Sequence, residues 1–318
     1  MSADVHVGLD DWLFLAGGYN EVLRFYNEAD FFDAAGAAWT EQLRLREANA
    51  RSRGILYRHL IIPDKLTIYP EFYRDVLAFP QNAPSRMLPR LLAEQIDASR
   101  LAPLLVDVRA AMLAAKPTSS KLYWKTDSHW TFEGCWVAFL ALCRDIDAAV
   151  DETIFHATDA TEDLLLDLGS KLDPPIAETF VRKLFSKGAE RAYTNSLVDY
   201  KEKENAHDAP GLHVGSHIVL RNTATATDPR TIVLFGDSYS EYRMRQLTGL
   251  IAETFATTHF IWNHSIDWDY VDSVKPDVLV TELAERFHTM IPADDLRIDQ
   301  FARDRLAQYV GSFNPVAV

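Results

Sequence analysis

The sequence predicts an α/β fold: a mainly parallel sheet covered by helices on both faces. Short apolar runs alternate with stretches of helical periodicity, most regularly beyond residue 215. The runs are apolar on successive positions, the pattern of strands buried on both faces, as in Tyr57-Arg-His-Leu-Ile-Ile62. The 318 residues suffice to bury a large core, and they contain no internal repeat or low-complexity tract.

Residues 8–15 read as a turn followed by a short apolar strand. Trp39 to Arg51 read as an amphipathic helix, and the strand from Tyr57 is stopped by Pro63, with Asp64 and Lys65 at its carboxyl end. Residues 86–99 read as helix, Leu104-Leu-Val-Asp-Val108 as strand, and 109–115 as an Ala-rich helix. After the loop Pro117-Thr-Ser-Ser120, the short strand Leu122-Tyr-Trp124 leads to Asp127 and His129. Thr131 is placed to cap a helix over 132–149. Residues 150–215 carry many charges and turns and read as an irregular insertion with short strands, within a single catalytic domain spanning 1–318. Order returns with strands at 218–220, 231–235, 258–262 and 277–282, and helices at 240–255, 268–274 and 294–309.

Hydrophobic residues make up 48% and charged residues 25%, as in ordinary globular proteins. The formal net charge of −14 disfavours a nucleic-acid partner or an anionic membrane surface, both of which attract concentrated Lys and Arg. A small neutral or cationic substrate fits that charge better. No stretch approaches the roughly 20 apolar residues that span a bilayer. The opening Met-Ser-Ala-Asp-Val-His has no basic stretch before an apolar run, so the expected location is cytoplasmic; a periplasmic or extracellular protein trimmed of its export signal would look the same. The two cysteines, Cys135 and Cys143, fall on one helix with Cα atoms roughly 12 Å apart, too far for a disulfide.

Two stretches carry candidate chemistry. Tyr123-Trp-Lys-Thr-Asp127-Ser-His129-Trp130 sets a carboxylate two residues before an imidazole, and Phe235-Gly-Asp-Ser238 ends an apolar strand in a serine. A serine hydroxyl needs a base to take its proton and a third group to orient that base. Ser238, His129 and Asp127 supply nucleophile, base and orienter. At a strand's carboxyl end and the start of a helix, Ser238 would also meet backbone N–H groups able to hold a developing oxyanion. Gly-Asp-Ser alone reads more readily as a turn with an N-cap serine, and a lone Asp-x-His as a solvated carboxylate beside a core histidine. Their presence in one chain favours catalysis.

Lys65, Lys125, Arg243 and Arg286 are candidates to meet a substrate oxyanion or carboxylate, against the alternative of structural ion pairs. Trp130 and Tyr239, with Tyr242, are candidates to stack on a sugar ring, although such aromatics more often pack. Asn263, after the strand that follows the serine helix, is a candidate second oxyanion donor. His259, His264 and His288 match no metal-ligand spacing, and no nucleotide fingerprint is present, so no cofactor is expected.

These motifs resemble the SGNH-hydrolase-like domain of alginate O-acetyltransferase proteins of the AlgX/AlgJ type. The likeness rests on Gly8-x-x-x-Trp12-Leu-Phe14, Pro63-Asp-Lys65 with Tyr69-Pro70, Lys125-Thr-Asp127-Ser-His129-Trp130 with Gly134, Asp167-Leu-Gly-Ser-Lys171, Gly236-Asp-Ser-Tyr-Ser240 and Pro276-Asp-Val-Leu-Val with Glu285-Arg286. Ordinary SGNH hydrolases carry the serine block first and the Asp/His block last; the permuted order here is a mark of this family. The resemblance implies an SGNH-like fold, a Ser238–His129–Asp127 triad, and acetyl transfer through an acyl-serine to a hydroxyl of a carbohydrate or small molecule. A partner acyl-transfer protein, acetyl-CoA or an ester could be the donor. An esterase using the same triad is the alternative, and a catalytically silent binding or scaffold protein the third reading.

Overall fold

The computed structural model describes residues 4–18, 21–95, 104–207, 209, 211–244 and 246–313. Its strands, in chain order, are β1 (Val5–Val7), β2 (Leu13–Leu15), β3 (Leu56–Ile62), β4 (Leu105–Val106), β5 (Asp159–Leu164), β6 (Glu178–Lys183), β7 (Glu190–Thr194), β8 (His217–Arg221), β9 (Asp228–Gly236), β10 (Phe255–Trp262) and β11 (Val278–Ala284). Seven of them form one sheet in the order β4-β3-β11-β9-β10-β8-β7. The first five run parallel; β8 is antiparallel to β10, and β7 antiparallel to β8. β11 is the central seam, setting Leu279 between Tyr57 of β3 and Val233 of β9. The pairs β1–β2 and β5–β6 form separate antiparallel hairpins.

Alternation along β3 shows how both faces are covered. Arg58 reaches Asp145 of the helix Phe132–Asp145, while its neighbour His59 stacks on Trp39 of the helix Asp33–Ser52. Successive side chains on a strand point to opposite faces, so the two helices lie on opposite sides of the sheet. Helix Pro84–Gln95 joins the Trp39 side, and Val108–Ala115 and Leu247–Thr254 join the other. Leu60, Ile232, Val233, Leu234, Phe260, Leu279 and Val280, buried between these layers, form the centre of the core.

Several boundaries differ from the sequence expectation, each for a local reason. The strand expected at 104–108 shortens to Leu105–Val106 because Asp107 caps the next helix, accepting from the Ala110 N–H at 2.9 Å. Thr131 caps helix Phe132–Asp145 as anticipated, accepting from the Gly134 N–H. That helix ends four residues before 149, with Asp147 in the left-handed region and the Ala148 N–H returning to the Cys143 carbonyl. The last helix starts at Ile298 rather than 294, since Asp294 is left-handed and its carboxylate is clamped to Arg46 and the Ile266 N–H. Helix Pro84–Gln95 matches the expected 86–99 in its described part; residues 96–99 lie outside the described residues.

The segment 150–215, expected to be irregular with short strands, contains the β5–β6 hairpin, the sheet strand β7 and the helix Ser196–Lys203. Among the described residues, no helix is long and apolar enough to cross a membrane.

Candidate active site

Parallel strands deliver their carboxyl ends to one edge, where open α/β sheets gather functional groups. β3 ends beside Asp64 and Lys65, β9 beside Asp237 and Ser238, β10 beside Asn263, and β11 beside Glu285 and Arg286. Asp127 and His129 come from the other side, on a loop closed by a single bridge between Tyr123 and Trp130.

The loop brings three candidate groups into line. Asp127 Oδ1 accepts from the His129 Nδ1–H at 2.6 Å and from the His129 backbone N–H at 2.8 Å. With Nδ1 so committed, Nε2 is left to accept from the Ser238 hydroxyl at 2.7 Å. Burial alone would lower the imidazole pKa, but the charge and hydrogen bond of Asp127, helped by Asp167, outweigh it and raise His129 above the ordinary value. The same contacts hold Asp127 well below the usual carboxylate range, against burial. His129 is a quarter exposed, which leaves the Nε2 side open to the cleft.

The turn after Ser238 differs from expectation. No helix starts at 240; residues 238–244 run through turns and bends, and the helix begins at Leu247. Glu241 sits there in the left-handed region and its carboxylate holds Arg243, so the Ser238 N–H is not part of a helix terminus. Among the described residues, no acceptor takes that N–H.

Behind the serine lies a layer of buried carboxyl groups. Asp237 accepts from the Tyr239 and Ala284 N–H groups, both at 2.9 Å, tying the serine turn to β11. Glu282 Oε2 accepts from the Ser240 hydroxyl at 2.6 Å and from the Asp237 N–H at 3.1 Å. Burial and the neighbouring Asp237 push the Glu282 carboxyl well above its ordinary value. Gly236 is required here: a Cβ would lie 2.8 Å from both Glu282 Oε2 and Ser240 Oγ.

The other candidates have various placements. Arg286, 4% exposed, is paired with Asp64 at 2.7 Å and donates to the Tyr239 hydroxyl at 3.3 Å. Tyr239 in turn donates to the Ser128 carbonyl at 2.8 Å. These two residues link the serine turn to the histidine loop, and fully enclosed Tyr239 offers no face to a sugar. Lys125 points away, to the Asp10 carbonyl at 2.7 Å. Lys65 is buried and bound to loop carbonyls. The Asn263 side-chain oxygen caps the Ser265 N–H at 2.9 Å. Trp130 touches the cleft, but its body packs edge-on against Tyr239 and its indole N–H donates to Gln246 Oε1 at 2.7 Å.

The cleft over Ser238 and His129 measures about 240 Å³ and is lined by Trp124, Phe180, Arg182, Lys183, Gln246 and Trp262 among others. A second cavity of about 310 Å³ shares Trp124, Phe132, Val181 and Lys183 with it, extending the groove along β6. A larger cavity, about 340 Å³, lies against helix Pro84–Gln95 and contains none of the three aligned groups. Sequence reasoning missed Gln246, Arg182, Lys183 and Phe180 of β6, whose spacing carried no motif. Asp127, His129 and Asp167 bring potential ligand atoms within 4.8 Å of one another. The Asp167 oxygens accept from the Ser128 N–H and hydroxyl, and Asp127 Oδ1 from His129. His259 and His288 are held by Tyr270 and His59, and His264 lies on Phe287.

Among solved structures, the O-acetyltransferase domain of Pseudomonas putida AlgJ is 16% identical with a TM-score of 0.56, covering 95% of this chain and 99% of that one. Bacillus cereus PatB1 with a sulfonyl adduct is 11% identical with a TM-score of 0.60, covering 91% and 96%. A DHHW family protein from Eubacterium siraeum is 13% identical with a TM-score of 0.59, covering 92% and 94%. These are likenesses of fold. Among curated proteins, no relative matches the sequence. A family model described as the SGNH hydrolase-like domain of acetyltransferase AlgX matches residues 5–165, half of the chain and the half that holds Asp127 and His129. With the sheet, the permuted motif order and this match in agreement, the chain belongs to the SGNH hydrolase-like acetyltransferase family of AlgX.

Proposed function

We propose that the chain transfers acetyl groups to a hydroxyl acceptor through an acetyl-Ser238 intermediate, and that residues 1–318 act as one catalytic domain. The observation that carries this reading is the continuous line Ser238 Oγ–His129 Nε2, His129 Nδ1–Asp127 Oδ1, at 2.7 and 2.6 Å, opening into a cleft. Ser238 Oγ attacks the donor carbonyl carbon as His129 Nε2 takes its proton. The resulting oxyanion is met by the Ser238 N–H. On collapse His129 returns the proton to the leaving group, and the acetyl ester stays on Ser238. The acceptor hydroxyl then gives its proton to Nε2 and attacks the ester carbonyl, and Ser238 recovers its proton from His129. Trp124, Phe180 and Trp262 give the cleft apolar faces suited to a sugar ring, while Arg182, Lys183 and Gln246 supply polar groups at its wall. The donor is an acetyl ester, an acetyl thioester or an acetylated partner protein.

The test is intact-protein mass after brief exposure to p-nitrophenyl acetate. One acetyl group on Ser238, absent in Ser238→Ala and strongly reduced in His129→Ala, is the expected result. An adduct that survives Ser238→Ala sinks the reading. The ratio of transfer to hydrolysis across carbohydrate acceptors then separates a transferase from an esterase, since water excluded from the cleft favours transfer.

A further inference from the structure

Asp127 and His129 sit on a loop without regular hydrogen bonding of its own, so its backbone groups must be satisfied from outside. The N–H side is held by carboxylates. Glu178 accepts from the Lys125 and Thr126 N–H groups and the Thr126 hydroxyl, and Asp167 from the Ser128 N–H and hydroxyl. The Thr126 carbonyl accepts from the Leu168 and Gly169 N–H groups and that of Lys125 from the Leu13 N–H, but three of the loop carbonyls also converge on one atom. Lys65 Nζ donates to the carbonyls of Trp124 at 2.8 Å, Lys125 at 2.9 Å and Asp127 at 2.6 Å.

An ammonium has three N–H bonds, and here they meet three acceptors. A neutral amine has two, and its lone pair would face the third carbonyl. Lys65 is 3% exposed, and Trp12 and Phe14 present their rings to its Nζ, each with its centroid at 5.7 Å, so water does not substitute. The shortest of the three bonds goes to Asp127, the residue that carries the orienting carboxylate.

We infer that Lys65 is a positioning residue: its ammonium ties down the carbonyls of Trp124, Lys125 and Asp127 in the loop and so sets His129 in register with Ser238. This rests on the acyl-serine reading above. The charged groups facing Lys65 are Asp127 on the loop, Asp167 before the Gly169–Lys171 turn, Glu178 on β6 and Lys121 before the loop. Burial outweighs the three carboxylates and pulls the ammonium down to about 7. The loop therefore loosens on the alkaline side, well below the ordinary lysine range.

The experiment measures Ser238 acetylation by p-nitrophenyl acetate against pH in wild type and Lys65→Met, which keeps the stem length and removes the charge. Lys65→Met should acetylate on the order of 100-fold more slowly, with half-saturation by the ester changed less than about twofold, the expected size for a misplaced base. The alkaline decline of the wild-type rate should be absent in the variant. Acetylation of Lys65→Met within about threefold of wild type, with the decline retained, overturns the inference. Should Lys65→Met not fold, 15N-lysine-labelled wild type decides, with the signal of Lys201, also buried, assigned by Lys201→Met. A rate that follows the Lys65 signal through the titration supports the role, and one that departs from it overturns it. Loss of the acyl-serine reading is seen separately, as an adduct that does not need Ser238.

Discussion

At the scale of single residues, His129 is set by two opposed forces. Burial disfavours the imidazolium, and the Asp127 carboxylate at 2.6 Å favours it more. A base must be neutral to accept a proton, so acetylation should rise with pH through a midpoint above the unperturbed histidine value of about 6.5. Asp127→Asn removes the larger raising effect and the tautomer control together. Its acetylation rate should fall roughly a thousandfold or more, and the residual activity should show a midpoint below that of wild type; pH–rate profiles of both proteins check this. The meeting of Asp127, His129 and Ser238 was legible in the sequence because these residue types, at a strand end and in an Asp-x-His pair, suggest one another in any fold. Lys65 was not. A lysine weighed as a substrate contact proves to be enclosed behind the loop, and only the tertiary path of residues 124–127 gives it three carbonyls. Arg286 and Tyr239 were likewise drawn to the right place in the fold, but they join one loop to another.

At the scale of elements, the histidine loop is anchored by the helix that follows it. Thr131 donates its hydroxyl to the Lys121 carbonyl and caps the Gly134 N–H, which turns the chain straight from the loop into the helix. A Cβ on Gly134 would overlap the Leu122 carbonyl and press on Trp130. Gly134→Ala should cost about 1–3 kcal/mol of stability, the usual range for overpacking, lower the thermal midpoint and slow acetylation together; differential scanning calorimetry with the acetylation assay measures both. Strand positions were read well from apolar runs, since a strand buried on both faces leaves a plain signal in composition. Helix starts were read less well. The segment after Ser238 has helical periodicity, yet Glu241 is left-handed and the Ser240 carbonyl is taken by the Thr248 N–H, so the first turns never form. Such a boundary is decided by contacts with distant carboxyl groups, which local sequence does not record.

At the scale of the whole molecule, sheet order runs against chain order. β3 lies between β4 and β11, and β11 between β3 and β9. The first half of the chain thus contributes one edge of the sheet, and the second half its centre and the opposite edge. Residues 5–165 expressed alone would leave the β11-facing side of β3 unpaired, with Leu60, Ile61 and Ile62 stripped of their neighbours. This fragment should show no cooperative thermal transition and no slowly exchanging β3 amides, whereas hydrogen exchange in the full chain should protect them strongly. The parallel architecture was legible from alternating strands and helices, and the place of β7 at the sheet edge was not, because its exposed, charged residues resemble a loop. The late arrival of β11 also governs how the chain is made. A ribosome adds roughly 5–20 residues per second, so on the order of tens of seconds pass between the emergence of β3 and that of its partner. Throughout that interval the nascent chain trails an unpaired apolar edge, and for about half of it His129 is present without Ser238. Until β11 arrives, the apolar edge of β3 is the surface at which the unfinished chain is most exposed to pairing with another strand.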